Sequence, residues 1–394
     1  MQSEFDPHAS EFDIHAALAM LVERGGSDLH LKVPSPPLLR IDGDLTPLEG
    51  AEPLTPQDTE RALRGLLQDP GKLEDFAQES EVDFACTLKN VSRFRINAFR
   101  QRGSISLVAR AVPFGVRTLD ELGLPEVIRT MASEPRGILL VTGGTGSGKS
   151  TTVAAMINHI NETMPKHIVM VEDPIEFLHR DKRSVINQRE VGLDTQSFSH
   201  ALHAVLRQDP DVIVIGEMRD EETVRAALTA AETGHLVIST LHTNDAPESI
   251  NRIIDFFPVG HQVQARAMLA GTLRGIVSQR LLPSVNGSDR VAICEILRMT
   301  GRVRDMIVDP SQTSALPAVI AEGDYYGMQT FDQALLENVR AGLINLEDAL
   351  SIASNPNDFK LLVASDGQGS TTMADVGAAG TPSAPSLRPS LAQH

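Results

Sequence analysis

The chain has 394 residues, 41% of them apolar, and a formal net charge of −17. That length predicts two or three domains with true cores, and the acidity argues against a protein that grips nucleic-acid backbone, which usually shows a basic footprint. Two cysteines, Cys86 and Cys294, lie far apart with no C-x-x-C pair, so the sequence suits a reducing cytosol and offers neither a zinc site nor a disulfide framework.

Met1 to Ser10 is polar and acidic, unlike a secretory signal, and no apolar run is long enough to span a bilayer. Asp13 to Arg24 carries Ile14, Ala17, Leu18, Leu21 and Val22 at helical spacing, and Gly25-Gly26 ends the pattern. Asp28 to Val33 alternates polar and apolar residues as a half-buried strand does; Pro34, Pro36 and Pro37 break it. Another run begins at Leu38, before a turn at Asp42-Gly43-Asp44. Thr55-Pro56 then supplies an N-cap and first position for a helix to Leu67. Strands follow at Phe94–Arg100 and Ser104–Val112. Residues 1–113 therefore predict a small α+β domain, and 114–120 a linker.

Residues 121–363 predict a second, α/β domain. Strands at Ile138–Val141, His167–Val171, Val212–Ile215 and Leu236–Thr240 alternate with helices at Lys149–Asn161, Ser197–Leu206 and Glu221–Glu232. That alternation predicts a mainly parallel sheet with helices on both faces and a ligand at the carboxyl ends of its strands. Gln262 to Leu282 predicts one long helix, and Met328–Ala341 and Leu346–Ala353 shorter ones. Residues 364–394, rich in Ser, Thr, Gly, Ala and Pro, predict a disordered tail.

The first of those strands runs into Gly143-Gly144-Thr145-Gly146-Ser147-Gly148-Lys149-Ser150-Thr151, which fills the phosphate-loop pattern G-x-x-x-x-G-K-[ST] between a strand and a helix. Glycines there let backbone N–H groups converge on an anion at a helix N-terminus. Lys149 then reaches the β- and γ-phosphates and Ser150 the Mg²⁺ ion, so the loop implies binding of ATP or a similar triphosphate. The next strand ends in Glu172-Asp173-Pro174-Ile175-Glu176, either an acidic surface loop or carboxylates that orient water and support Mg²⁺. Glu217 is the first acid past strand Val212–Ile215, the Walker-B arrangement; Asp209 and Asp211 fall at the opposite end and brace structure. His242 follows strand Leu236–Thr240, a position suited to sensing the γ-phosphate, whereas His235 precedes it and reads as structural. Arg93, Arg95, Arg100, Arg102 and Arg110 form either a solvated strand face or a set of arginine fingers.

Together these residues resemble the secretion ATPases of type IV pilus and type II secretion systems, and among them the pilus retraction ATPases of the PilT/PilU type. The likeness covers about residues 10 to 360. It rests on Gly26–Leu31 as the opening motif, Arg93–Phe99 as the arginine strand, Glu172–Glu176 as the Asp box, Gly216–Asp220 as Walker B, and the stretch from Thr233 to Thr243 as the His box. It implies a PAS-like N-terminal domain and a RecA-like P-loop ATPase domain with C-terminal helices. It also implies Glu176 as catalytic glutamate, Glu217 as the Mg²⁺-linked acid, His235 and His242 as the His-box pair, and Arg95 and Arg110 as fingers acting in trans. The implied assembly is a cytoplasmic homo-hexamer on the inner face of the cytoplasmic membrane, turning a platform protein and working alone or beside a paralogous retraction ATPase. The retraction reading, and with it twitching motility, is supported by two features. The extra N-terminal domain of extension and type II secretion members is not seen, and neither is their four-cysteine motif. Gly301–Ile307 departs from the segment that retraction ATPases often carry. An extension or secretion ATPase is the alternative; a nucleic-acid translocase is opposed by the charge.

Overall fold

The computed structural model describes residues 12–41, 43–112, 115–287 and 289–365. The tail expected at 364–394 lies outside them beyond Ser365, as does the acidic start. Described residues up to Val116, joined by Ile175–Arg180, form one compact unit; Arg117–Pro174 and the residues from Asp181 onward form another.

The first unit contains α1 (Ile14–Glu23), β1 (Asp28–Leu31), β2 (Leu38–Ile41), β3 (Asp44–Pro47), α2 (Pro56–Leu66), α3 (Pro70–Glu79), β4 (Glu81–Leu88), β5 (Ser92–Gln101) and β6 (Ser104–Val112). Local chemistry sets its helix starts. Asp13 accepts from the backbone N–H groups of His15 and Ala16, and Thr55 with Asp58 closes a reciprocal capping box ahead of α2. The strands make an antiparallel sheet in the order β3-β2-β1-β6-β5-β4. Along β5, Phe94, Ile96 and Ala98 are buried while Arg93, Arg95 and Asn97 take the other face. The sequence reading missed α3, β3 and β4. The exposed β3 carries no burial pattern to find.

The second unit contains α4 (Glu126–Ala132), β7 (Gly137–Thr142), α5 (Lys149–Thr163), β8 (His167–Glu172), β9 (Val185–Glu190), α6 (Phe198–Val205), β10 (Val212–Ile215), α7 (Glu221–Glu232), β11 (Leu236–Leu241), α8 (Ala246–Asp255), α9 (Gln262–Thr272), β12 (Leu273–Pro283), β13 (Arg290–Arg298), α10 (Gly301–Val308), α11 (Leu316–Ala321), α12 (Phe331–Arg340), α13 (Leu346–Ile352) and α14 (Pro356–Ala364). Its sheet runs β13-β12-β7-β11-β10-β8-β9, parallel throughout except for the β12–β13 pair. Every residue of β7, β10 and β11 is buried, the signature of strands covered on both faces. Ile138 and Leu140 of β7 share a core with Ala227 and Leu228 of α7, and α5 packs against β7 and β11.

The helix expected over Gln262–Leu282 is corrected by the structure. It ends at Thr272, Leu273 turns to extended backbone, and Leu273–Pro283 forms β12 beside β7. Leu, Arg and Gln favour helix locally, but the edge of β7 offers this segment a ladder and a buried face, and tertiary pairing overrides propensity. Gly275 allows the packing: a Cβ there would meet Met131 and stand 2.7 Å from the Leu297 carbonyl. We therefore expect Gly275→Ala to destabilise the protein by about 1–3 kcal/mol through overpacking. Denaturation midpoints would reveal this, and an unchanged midpoint would contradict it.

Candidate active site

The phosphate loop lies between β7 and α5 in the second unit. Gly143 has φ +145° and Gly148, the residue preceding α5, has φ +87°; no side chain caps α5, so its first N–H groups face outward for an anion. At both glycines a Cβ would collide: at Gly143 with the Gln279 carbonyl and the Ser147 hydroxyl, at Gly148 with Gln279 Nε2 at 2.7 Å. Lys149 is buried, and its Nζ donates to the carbonyls of Gly143 at 2.7 Å and Gly144 at 2.9 Å. Burial lowers its pKa from the ordinary lysine value. The buried Ser147 hydroxyl has no hydrogen-bond partner. Ser150 is exposed at the first turn of α5. A loop with outward N–H groups, an orphan hydroxyl and a lysine at its floor fits a polyphosphate.

Three strand ends bring the acids together. Glu172, at the end of β8, is buried and accepts from Gln188 at 2.9 Å. Glu217, just past β10, keeps only 14% of its side chain exposed and is paired with Arg219; Arg219 also lies 3.8 Å from Asp173. His242, just past β11, brings Nε2 within 3.2 Å of Glu217 Oε2. Burial, then the positive charges of Lys149 and Arg219, hold the imidazole below its ordinary 6.5 in spite of that carboxylate. A neutral ring reaches Glu217 only by donating Nε2–H, which leaves Nδ1 as acceptor. Beside this cluster opens a cavity of about 430 Å³, lined by Glu217, Arg219, His242, Glu248 and Arg252 among others. A magnesium ion keeps waters and phosphate oxygens as ligands and needs only one or two protein groups, and the oxygens of Ser150 and Glu217 are of the kind it takes.

Of the remaining sequence-named residues, some lie at the amino ends of the second unit's strands and others belong to the first unit. His235 sits at the opposite end of β11, about 20 Å of strand from His242; its ring contacts the Ala230 carbonyl at 2.9 Å. Asp211 accepts from Lys166 and the His167 N–H, a brace at the amino ends of the strands. In the first unit, Arg95 donates to the Ile175 carbonyl at 2.5 Å and lies 3.2 Å from Glu176. Arg110 donates Nε–H to the buried Asp28 at 2.7 Å and leaves 67% of its side chain exposed.

The sequence agrees with this geometry across most of the chain. Residues 78–350 match the family model described as "Type II/IV secretion system protein". The chain belongs to the type II/IV secretion system family. It is 44% identical to the "Type IV pilus retractation ATPase PilT" of Pseudomonas aeruginosa over 347 residues, 88% of this chain and 100% of that protein. It is 46% identical to the "Twitching motility protein" of Neisseria gonorrhoeae over 319 residues, 81% of this chain and 84% of that one. The solved structure titled "Crystal Structure of the Pilus Retraction Motor PilT and Bound ADP" superposes with a TM-score of 0.81 at 42% identity, covering 89% of this chain and 100% of the other. The chain is thus a secretion-type ATPase, with a mixed α/β fold shared with a retraction motor.

Sequence reasoning missed Gln279 and Thr152. Both are buried, and they join across the loop: Thr152 Oγ1 donates to Gln279 Oε1 at 2.7 Å, and Gln279 Nε2 donates to the Ser147 carbonyl at 2.8 Å. The available signal was a polar triplet, Ser278-Gln279-Arg280, between the apolar pairs Ile276-Val277 and Leu281-Leu282.

His242 gives this secretion-type ATPase a pH signature. Its pKa is depressed in the folded state, so between pH 6.5 and lower values the unfolded chain binds a proton that the native one resists, and stability falls as pH falls. His242→Gln removes that share. Its thermal midpoint should decline less steeply than the wild type's from pH 6.5 to pH 5; identical slopes would contradict the shift.

Proposed function

We propose that this chain hydrolyses ATP to drive type IV pilus retraction, and hence twitching motility, as a homo-hexamer acting on a platform protein in the inner membrane. The observation that carries this reading is identity running the full length of a retraction ATPase, 44% over 100% of that protein. No described helix is long and apolar enough to cross a membrane, so the proposed site of action is docking at the cytoplasmic membrane's inner face.

In this reading Lys149 leaves its two carbonyls for the β- and γ-phosphates, and the outward N–H groups of α5 hold their oxygens. When bound, Mg²⁺ would neutralise charge developing on the phosphates. Ser150 would hold that ion directly, and Glu217, kept in place by Arg219 and His242, through water. Glu176 would orient and deprotonate the attacking water. Of the two proposed fingers, Arg110 is the better placed to serve a neighbouring subunit. Its guanidinium is anchored at Nε by Asp28 and otherwise exposed, whereas Arg95 is 26% exposed and already engaged by Ile175 and Glu176. His235, at the far end of β11, is better suited to bracing that strand than to chemistry.

Lys149→Ala should lower ATP turnover by about 10²-fold or more, since it removes a positioned charge from the phosphates. Turnover at the wild-type rate would remove the site assignment. A finger contributes about 10³–10⁵ in kcat, so Arg110→Ala alone should be nearly inactive. Mixed with Lys149→Ala subunits it should recover part of the activity, because some interfaces regain both groups; no recovery would count against action in trans. In cells, deleting the gene should leave excess surface pili and abolish twitching, and complementation with the Lys149→Ala variant should fail to correct either. Cells without pili would instead mean an assembly motor.

A further inference from the structure

The phosphate loop is braced by a strand that supplies nothing to the chemistry just described. β12 runs parallel to β7 with Ser278 opposite Thr142, so Gln279 stands beside the point where β7 becomes the loop. Thr142 Oγ1 donates to Ser278 Oγ at 3.0 Å, closing the last rung. Gln279 is 2% exposed and uses both ends of its amide: Oε1 takes the Thr152 hydroxyl on the first turn of α5, and Nε2 holds the Ser147 carbonyl inside the loop. Its backbone carbonyl and its Nε2 also occupy the space that side chains at Gly143 and Gly148 would need. The next residue faces the other way. Arg280 donates to the Ile352 carbonyl at 2.9 Å and stacks 4.0 Å over the Phe331 ring, among the C-terminal helices.

We propose that Gln279 is a positioning residue for the phosphate loop, tying Ser147 to the first turn of α5 so that the loop's N–H groups stay aimed at the nucleotide's phosphates. The inference rests on Gly143–Thr151 being the phosphate site. A donor and an acceptor at fixed separation on a rigid strand set the loop's curvature before nucleotide arrives, so removing them weakens nucleotide binding more than it unfolds the chain.

The test is calorimetric titration of the full chain with Mg·ADP, alongside the thermal midpoint without nucleotide. Gln279→Met keeps the side chain's length and removes both hydrogen bonds; its Kd should rise at least about tenfold, the scale expected for two buried bonds. Thr152→Val should raise the Kd about threefold or more in the wild type and add little in the Gln279→Met background, because both act on one bond. Arg280→Met should lower the thermal midpoint and leave the Kd unchanged. A folded Gln279→Met protein that binds Mg·ADP within twofold of wild type overturns the proposal. If Gln279→Met does not fold, Thr152→Val decides, and an unchanged Kd there is equally adverse. Lys149→Ala separates the two readings. If it binds no more weakly than wild type, the phosphate-site assignment fails and the inference with it. If it loses binding while Gln279→Met and Thr152→Val keep theirs, only the role of Gln279 fails.

Discussion

A buried ammonium group is the constraint around which the second unit is arranged. Lys149 sits on the floor of a glycine loop with the carbonyls of Gly143 and Gly144 as its hydrogen-bond acceptors. Burial weakens its hold on its proton, and a buried charge is tolerated only where something repays the lost hydration. In the proposed function a polyphosphate would repay it. The loop therefore has to be close enough to wrap the lysine and open enough to release it. Backbone at positive φ on Gly143 and Gly148 meets the first demand, and the uncapped start of α5 meets the second.

The same handling of charge extends to the acids. An overall charge of −17 gives no hint that the carboxyl ends of β10 and β11 gather Arg219 and His242 about one carboxylate. Glu217 is mostly withdrawn from water, yet a guanidinium and an imidazole N–H hold it in place, and the imidazole's pKa is lowered by burial and by the cations nearby. The first unit repeats the device with Asp28, where burial would raise the pKa but the Ser27 hydroxyl and Arg110 outweigh it and lower it. In each case a carboxylate fixes the direction of a longer, more flexible cation.

Most of the fold is legible in the sequence because its strands and helices carry strong local periodicities. The β7, β8, β10 and β11 strands are short, predominantly apolar runs, and their alternation with helices is enough to imply a parallel sheet. The same topology puts the phosphate-loop motif, Glu217 and His242 at the carboxyl ends of strands, where a ligand site is expected. Reading fails where the signal is not local. Leu273–Pro283 has helix-forming residues and becomes a strand only because β7 has a free edge. With that segment read as helix, Gln279 is one more residue on a helix face.

Sequence by itself determined the phosphate-loop motif, the order of the motifs and the membership of a secretion ATPase family, because each depends on residues a few positions apart. Tertiary structure alone decided which side chains share a task. It drew Ile175–Arg180 into the first unit, where Arg95 meets Glu176, joined Arg110 to Asp28 across adjacent strands, and placed Gln279 against Ser147 and Thr152. Those partners lie from about eighty to well over a hundred residues apart, and hydrogen bonds across such spans are specified by the packing of whole strands rather than by any pattern in the chain.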